Sequence, residues 1–210
     1  MTPLTPIPSP PLPADTAAKY AKLLETLRGL ENAVTAFSGG VDSSLVAFLA
    51  NRELGPRALA VTSASESLNR DDLALTQDLA AAWGMAHRVI KTQEILNPEY
   101  RANPVNRCYF CKSTLYADLQ ALAVAEGFGV LLNGTNVEDL GDHRPGLQAA
   151  AEYSVRSPLV DCGFTKGDIR SLAAHLGLPN HAKPQAACLS SRVPYGFSID
   201  VGILQQIEQA

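Results

Sequence analysis

The chain has 210 residues, room for one α/β domain with a core of its own or one domain plus an appendage. It is 46% hydrophobic and 18% charged, the balance of a globular enzyme and too apolar for a disordered chain. No apolar run is long enough to span a membrane, no signal segment opens the chain, and a net charge of -4 gives no broad footprint for nucleic acid. Four cysteines without a secretory signal point to a reducing, cytoplasmic setting and to thiols, ligands or catalysts rather than a disulfide framework.

Residues 1–15 are crowded with proline and carry one charge, Asp15, which predicts an extended tail. From Thr16 the pattern becomes helical, with Tyr20, Leu23, Leu24, Leu27 and Leu30 at threes and fours and Gly29 at the end. The run Ala33–Phe37 predicts a strand, Leu45–Leu54 a helix closed by Gly55-Pro56, and Ala58–Thr62 a second strand. Asp71–Trp83 reads as a helix stopped by Gly84, and Ala86–Ile90 as a strand. The segment Lys91–Arg107 has little pattern and few apolar anchors, which predicts a loop that is poorly ordered without ligand. Leu115–Ala125 is helical and stopped by Gly127, and Val130–Asn133 is a strand. Thr165–Leu176 is a further helix, with Thr165 and Asp168 at capping-box spacing and Gly177 just past it. Short β-rich runs alternating with helices imply βαβ units and a parallel sheet covered on both faces. Ligands in such α/β folds sit at the carboxyl ends of strands, here the loops after Phe37, Thr62, Ile90 and Asn133.

The sharpest motif, Ser38-Gly39-Gly40-Val41-Asp42-Ser43-Ser44, follows the first strand and opens a helix. Its glycines admit close backbone approach, the helix start offers free N–H groups, and the hydroxyls add donors: the chemistry of a phosphate cradle. It lacks the GK[ST] of a Walker loop and the spacing of a dinucleotide fingerprint. As it stands it resembles the pyrophosphate loop of the N-type ATP pyrophosphatases, which cleave ATP to AMP and pyrophosphate while activating an oxygen as its adenylate.

Cys108 and Cys111, in Asn106-Arg107-Cys108-Tyr109-Phe110-Cys111-Lys112, share one helix face with Lys112, and Asn106 is placed to cap that helix. A thiol near a helix start and a lysine suits a nucleophile, a redox couple or a metal ligand. Cys188 lies in Lys183-Pro184-Gln185-Ala186-Ala187-Cys188-Leu189-Ser190-Ser191-Arg192-Val193-Pro194-Tyr195-Gly196, a proline-stiffened loop with Ser191 and Arg192 available for an anion. Three cysteines match an iron–sulfur cluster with one open iron, or a zinc site completed by water. Cys162 reads as a buried bystander at a strand end, and His87, His143, His175 and His181 follow no metal spacing.

With both loops in view, the chain resembles the ATP-dependent sulfur transferases of the LarE type, which build the nickel-pincer nucleotide cofactor of lactate racemase. The matching pieces, in the family's order over about residues 20–205, are SGGVDSS, NRCYFCK, Asn133–Asn136 with Asp139–Gly146, and KPQAACLSSRVPYG. The resemblance implies an adenine nucleotide alpha hydrolase-like domain over 16–180, preceded by the tail 1–15 and followed by the cysteine-bearing segment 181–210. It implies ATP, Mg²⁺ and a pyridinium dicarboxylate mononucleotide as the small-molecule nucleotide substrate, no nucleic acid or membrane partner, and a homo-oligomer. Ser38, Gly39, Gly40, Asp42, Ser43 and Ser44 then take the phosphates and metal, with Asp42 beside the metal. Gly134, Thr135 and Asn136 line the nucleotide site, and Asp139, Asp142 and Arg144 order the reacting groups. Lys112 and Arg192, with Ser191 nearby, face substrate phosphate or carboxylate.

In one branch of the family a single cysteine at the place of Cys188 gives up its sulfur; in another, three cysteines hold a [4Fe-4S] cluster that carries the transferred sulfide. The presence of Cys108, Cys111 and Cys188 matches the cluster branch. The family continues past the point matching Gln205 with arginines that bind substrate phosphate, whereas the sequence stops at Ala210. The rival readings are a tRNA thiolase, against which the charge of -4 argues, and a nucleotide-binding regulator without catalysis.

Overall fold

The computed structural model describes residues 11–141, 145–185 and 187–210. Asp142 and Arg144, and most of the proline-rich tail, lie outside the described residues. Among those described, β1 (Ala33–Ala36), β2 (Ala58–Ser63), β3 (His87–Ile90) and β4 (Leu131–Leu132) form one parallel sheet in the order β3-β2-β1-β4. The register pairs Val34 with Leu59 on one side and with Leu131 on the other. Arg156 extends the sheet past β4 by a single parallel bridge to Leu132.

Alternate strand residues feed opposite layers, as a two-residue side-chain period requires. Ala33 and Ala58 face α1 (Ala14–Arg28), α2 (Val41–Leu54) and the later helix α8 (Lys166–His175), in a core built on Leu23, Leu27, Leu45, Leu49, Ile169 and Leu172. Ala60 shares that face and packs with Leu79 and Ala80 of α3 (Arg70–Ala82). Val34, Leu59 and Val61 point the other way, onto Tyr116 and Leu119 of α5 (Arg107–Glu126) and Ala149 of α6 (Pro145–Glu152). Each of these leucines contributes about 2 kcal/mol by leaving water. Both faces are thereby covered, and the α/β parallel-sheet expectation holds. No helix among the described residues is long and apolar enough to cross a membrane.

The capping box read from Thr165 and Asp168 is formed in both directions, Asp168 N–H to Thr165 Oγ1 at 3.2 Å and Thr165 N–H to Asp168 Oδ2 at 3.0 Å. Asp168 also accepts from Thr16 and Lys19, latching α1 to α8. Burial opposes its charge, but these hydrogen bonds outweigh that cost and hold the carboxyl well below the usual range.

Four expectations need correction. The helix predicted from Leu115 begins at Arg107, because the polar NRCYFCK turn continues the helix without an apolar stripe. Asn106 precedes it but makes no side-chain cap bond. The segment 91–107 is no loose loop. It carries a short 3-10 turn at Glu94–Leu96 and the helix α4 (Pro98–Arg101), with Asn97 capping α4 at Glu99 N–H. Tyr100 and Asn103 in it are fully buried, packed against the chain beyond residue 188. Cys162 is buried as expected, but at the end of α7 (Pro158–Asp161) rather than of a strand.

Candidate functional site

Chain order runs outward from β1 to β3 and then returns to place β4 on the far side of β1. That reversal opens a crevice at the carboxyl ends of β1 and β4. The glycine loop enters it from β1. Gly39 has φ +74, and a Cβ there would lie 3.1 Å from Thr76 Cγ2, so glycine suits both the left-handed backbone and the close packing of α3 on the loop. Ser38 N–H donates to Ser43 Oγ at 3.2 Å, and Ser43 Oγ donates to the Gly40 carbonyl at 3.1 Å, which fixes the loop over the first turn of α2. From β4, Gly134 presses on the same turn: an added Cβ would stand 2.5 Å from Ser43 N and 2.8 Å from Ser43 Cα. Asn133 Oδ1 accepts from Thr135 N–H at 3.1 Å and Ser157 Oγ at 2.8 Å and so sets the turn after Gly134.

Two adjoining cavities of about 620 and 330 Å³ occupy the crevice, sharing Ser38, Gly40, Asp42, Leu68, Lys112 and Gln185 as common wall. The larger is within the range of small-molecule sites. It runs past Val61, Thr62 and Ser63 at the end of β2 and past Cys108 and Tyr116 on α5. The smaller lies between the glycine loop, Asp72 on α3, and Cys188.

The charges in the smaller cavity are where sequence reasoning fell short. The loop has no lysine of its own, yet Lys166 from α8, Lys183 from the following segment and Lys112 from α5 all line this cavity. Lys166 Nζ donates to Asp42 Oδ2, and Lys183 Nζ to Asp72 Oδ1 at 2.5 Å. Asn136 reaches Asp42 Oδ2 at 3.5 Å, while buried Asp42 Oδ1 has no hydrogen-bond partner among the described residues. Burial pushes the Asp42 carboxyl up against the downward pull of Lys166. An orphaned carboxylate oxygen at the mouth of a phosphate cradle fits a hard divalent cation such as Mg²⁺. Lys183 lies in the KPQAAC motif, five residues before Cys188, which is a signal in the sequence, whereas Lys166 has only its place at a helix start.

Cys188 and Cys108 are exposed and Cys111 is half-buried. All three sulfurs act electrostatically on Lys112, whose pKa is raised by Tyr116 first and then, against desolvation, by the cysteines. Its ammonium also sits 5.8 Å from the Tyr116 ring centroid. Burial and then the nearby carboxylate of Glu94 push the Cys111 thiol up to about 12. Cys188 is placed by side chains from far away in sequence. Asn103, at φ 51, donates to the Pro194 carbonyl at 2.8 Å and accepts from Arg107 Nη1 at 2.6 Å, and Arg107 also reaches the Ser190 carbonyl at 2.8 Å. The Tyr100 and Ser190 hydroxyls lie 2.5 Å apart, and Leu189 N–H donates to the Ser67 carbonyl. No group of three His, Cys, Asp or Glu side chains among the described residues is arranged to hold a metal ion. A cubane cluster sets its thiolates wider apart than a single ion does. The soft donors that such a cluster would use are Cys108, Cys111 and Cys188, each of which acts electrostatically on Lys112.

Of the residues expected at the site, Ser38, Gly40, Asp42, Ser43, Lys112, Cys108, Gly134, Thr135 and Asp139 line the larger cavity, and Cys188 lines the smaller. Others stand behind the walls. Ser44 is fully buried, its hydroxyl 2.8 Å from Asn180 Nδ2, which also donates to the Gly39 carbonyl. Asn136 is buried and acts through Asp42. Cys111, Ser191 and Arg192 line neither cavity; Ser191 Oγ instead donates to the Cys188 carbonyl at 2.5 Å.

A parallel sheet with a Ser-Gly-Gly loop at its switch point, facing lysines contributed by other elements, defines a PP-loop, ATP-using protein. In agreement, the asparagine synthase family model matches residues 25–133, from α1 to the end of β4. An uncharacterized protein of Synechocystis is 46% identical over 193 residues, covering 92% of this chain and 72% of that protein. The pyridinium-3,5-bisthiocarboxylic acid mononucleotide synthase of Lactiplantibacillus plantarum is 33% identical over 198 residues, covering 94% of this chain and 72% of the synthase. The tRNA-specific 2-thiouridylase MnmA of Azorhizobium caulinodans is 32% identical, over 73% of this chain and 49% of its own length. The chain belongs to the PP-loop family and, within it, to the LarE-type family of the Lactiplantibacillus synthase.

Proposed function

We propose that the protein is an ATP-dependent sulfur transferase that adenylates the carboxylates of a pyridinium dicarboxylate mononucleotide and converts them to thiocarboxylates, as in nickel-pincer cofactor synthesis. The observation that carries the reading is the common wall: the glycine loop, Cys108 and Cys188 open onto adjoining cavities that meet at Lys112. Activation of an oxygen and delivery of sulfur require one shared crevice of this kind. The relatedness to two proteins named for sulfur insertion supports the same class.

In this reading the loop N–H groups and the Ser38 and Ser43 hydroxyls take the ATP phosphates, Asp42 Oδ1 takes Mg²⁺, and Lys166 neutralises the departing pyrophosphate. The substrate carboxylate attacks the α-phosphorus, the bond to the α–β bridging oxygen breaks, and sulfur then displaces AMP from the acyl carbon. Lys112 holds the substrate's anionic groups between the cavities. A [4Fe-4S] cluster on Cys108, Cys111 and Cys188 supplies, when bound, a sulfide at its open iron. A second reading has one observation in its favour: Cys188 is exposed at the cavity while the Cys111 thiol is held neutral, as suits a lone sacrificial donor. The two are separated by Cys108→Ala, Cys111→Ala and Cys188→Ala with anaerobic iron and sulfide analysis. Loss of cluster and transfer in all three, with Cys188 intact by mass spectrometry, supports the cluster; dehydroalanine at 188 with Cys108→Ala active supports sacrifice.

A further inference from the structure

Three lysines, Lys112, Lys166 and Lys183, line the smaller cavity of about 330 Å³, with Asp42 and Asp72 as the carboxylates in its wall. Lysines lining one cavity repel unless anions compensate them, and here Asp42 pairs with Lys166 and Asp72 with Lys183. The two pairs are built differently. Asp42 stands on the glycine loop's own helix, is shared with Asn136, and keeps one oxygen without a hydrogen bond. Asp72 stands in the first turn of α3, where the helix dipole favours its charge and the chain is fixed by Asn69 accepting from Asp71 N–H. That turn abuts the loop directly, since a Cβ on Gly39 would lie 3.5 Å from the Asp72 carbonyl. Lys183, by contrast, lies on the segment that joins α8 to Cys188, with Arg170 Nη2 donating to its carbonyl at 2.8 Å. Its side chain and that of Asp72 remain partly exposed, at 20% and 25%, so the pair can separate into water without stranding a buried charge.

We propose that Lys183 is a second phosphate-binding cation, stored on Asp72 in the free protein, and that a polyphosphate in the smaller cavity takes it over and draws the Cys188 segment onto the anion. The proposal rests on the reading of this crevice as an ATP-phosphate site and adds a coupling: occupancy by pyrophosphate is transmitted to the cysteine loop through one side chain a few residues before Cys188. Asp72 then acts as a competitor for Lys183, not as a metal ligand. Its removal strengthens anion binding, the reverse of what loss of a metal ligand does.

The test is calorimetric titration of the full chain with pyrophosphate, with and without Mg²⁺, joined to maleimide labelling of Cys188 followed by peptide mass spectrometry. Lys183→Met weakens pyrophosphate binding about tenfold or more, the loss of one charge-assisted contact. Asp72→Asn tightens metal-free binding, and the double variant behaves as Lys183→Met alone. Pyrophosphate slows labelling of Cys188 in the unaltered protein and leaves it unchanged in Lys183→Met. An unaltered affinity in Lys183→Met overturns the proposal, as does weaker or unchanged metal-free binding in an Asp72→Asn protein with native circular dichroism. Equal protection of Cys188 with and without the lysine overturns the coupling. Failure of the unaltered protein to bind either pyrophosphate or ATP overturns the phosphate reading itself.

Discussion

The two walls of the crevice are held by opposite means. The glycine loop is fixed by backbone: Gly39 lies against α3, Gly134 presses on Ser43, and the loop's hydroxyls close on neighbours a few residues away. The cysteine loop is fixed by side chains that come from some 90 residues earlier, Tyr100, Asn103 and Arg107. The first design has no room for an added carbon at Gly134, while the second depends on buried polar groups that must all be satisfied. A wall of backbone suits a phosphate, whose oxygens are the same in every nucleotide. A wall of distant side chains can be moved or retuned without disturbing the sheet.

The largest effect is expected on the first wall. Gly134→Ala inserts a carbon into the backbone of α2 and costs about 3 kcal/mol, with ATP binding lost, as thermal unfolding and calorimetry measure. A stable, ATP-binding Gly134→Ala protein would break the contrast. Asp42→Asn is expected to keep the fold but abolish turnover, because the carboxylate proposed to take Mg²⁺ is gone; ATP–pyrophosphate exchange at the unaltered rate would contradict that. On the second wall, Asn103→Ala removes the bonds to Pro194 and Arg107 and costs about 2 kcal/mol. Sulfur transfer falls sharply while ATP–pyrophosphate exchange persists; equal loss of both activities would show that the walls are not separable.

Smaller still is the latch far from the crevice. Asp168, held below its ordinary pKa, contributes stability that is complete above the unfolded value of about 4 and is lost as pH falls further. Asp168→Asn is therefore less stable by about 1–2 kcal/mol at neutral pH and shows a flatter acid limb in denaturant titrations.

The same contrast explains what could be read from the sequence. The glycine loop was legible because its chemistry is contiguous, and the capping box of α8 because its two partners are one turn apart. The sheet followed from short β-rich runs between helices. Lys166 and Lys183 were missed as site residues because neither adjoins the loop in sequence, and only the packing of α8 beside α2 brings them to it. The segment 91–107 read as loose because its anchors are single residues without period. Tyr100 and Asn103 look unremarkable until the chain beyond 188 folds back on them. Ser44 and Asn136, expected among the nucleotide-binding residues, stand behind the cavity wall, since a motif does not say which hydroxyl or amide faces inward.

The most direct test of the central claim is product analysis after anaerobic turnover with ATP and a pyridinium dicarboxylate mononucleotide, by chromatography of the nucleotides and mass analysis of the acceptor. AMP and pyrophosphate in step with a thiocarboxylate are the predicted result. ADP and orthophosphate, or an acceptor that gains no sulfur while ATP is consumed, would contradict it.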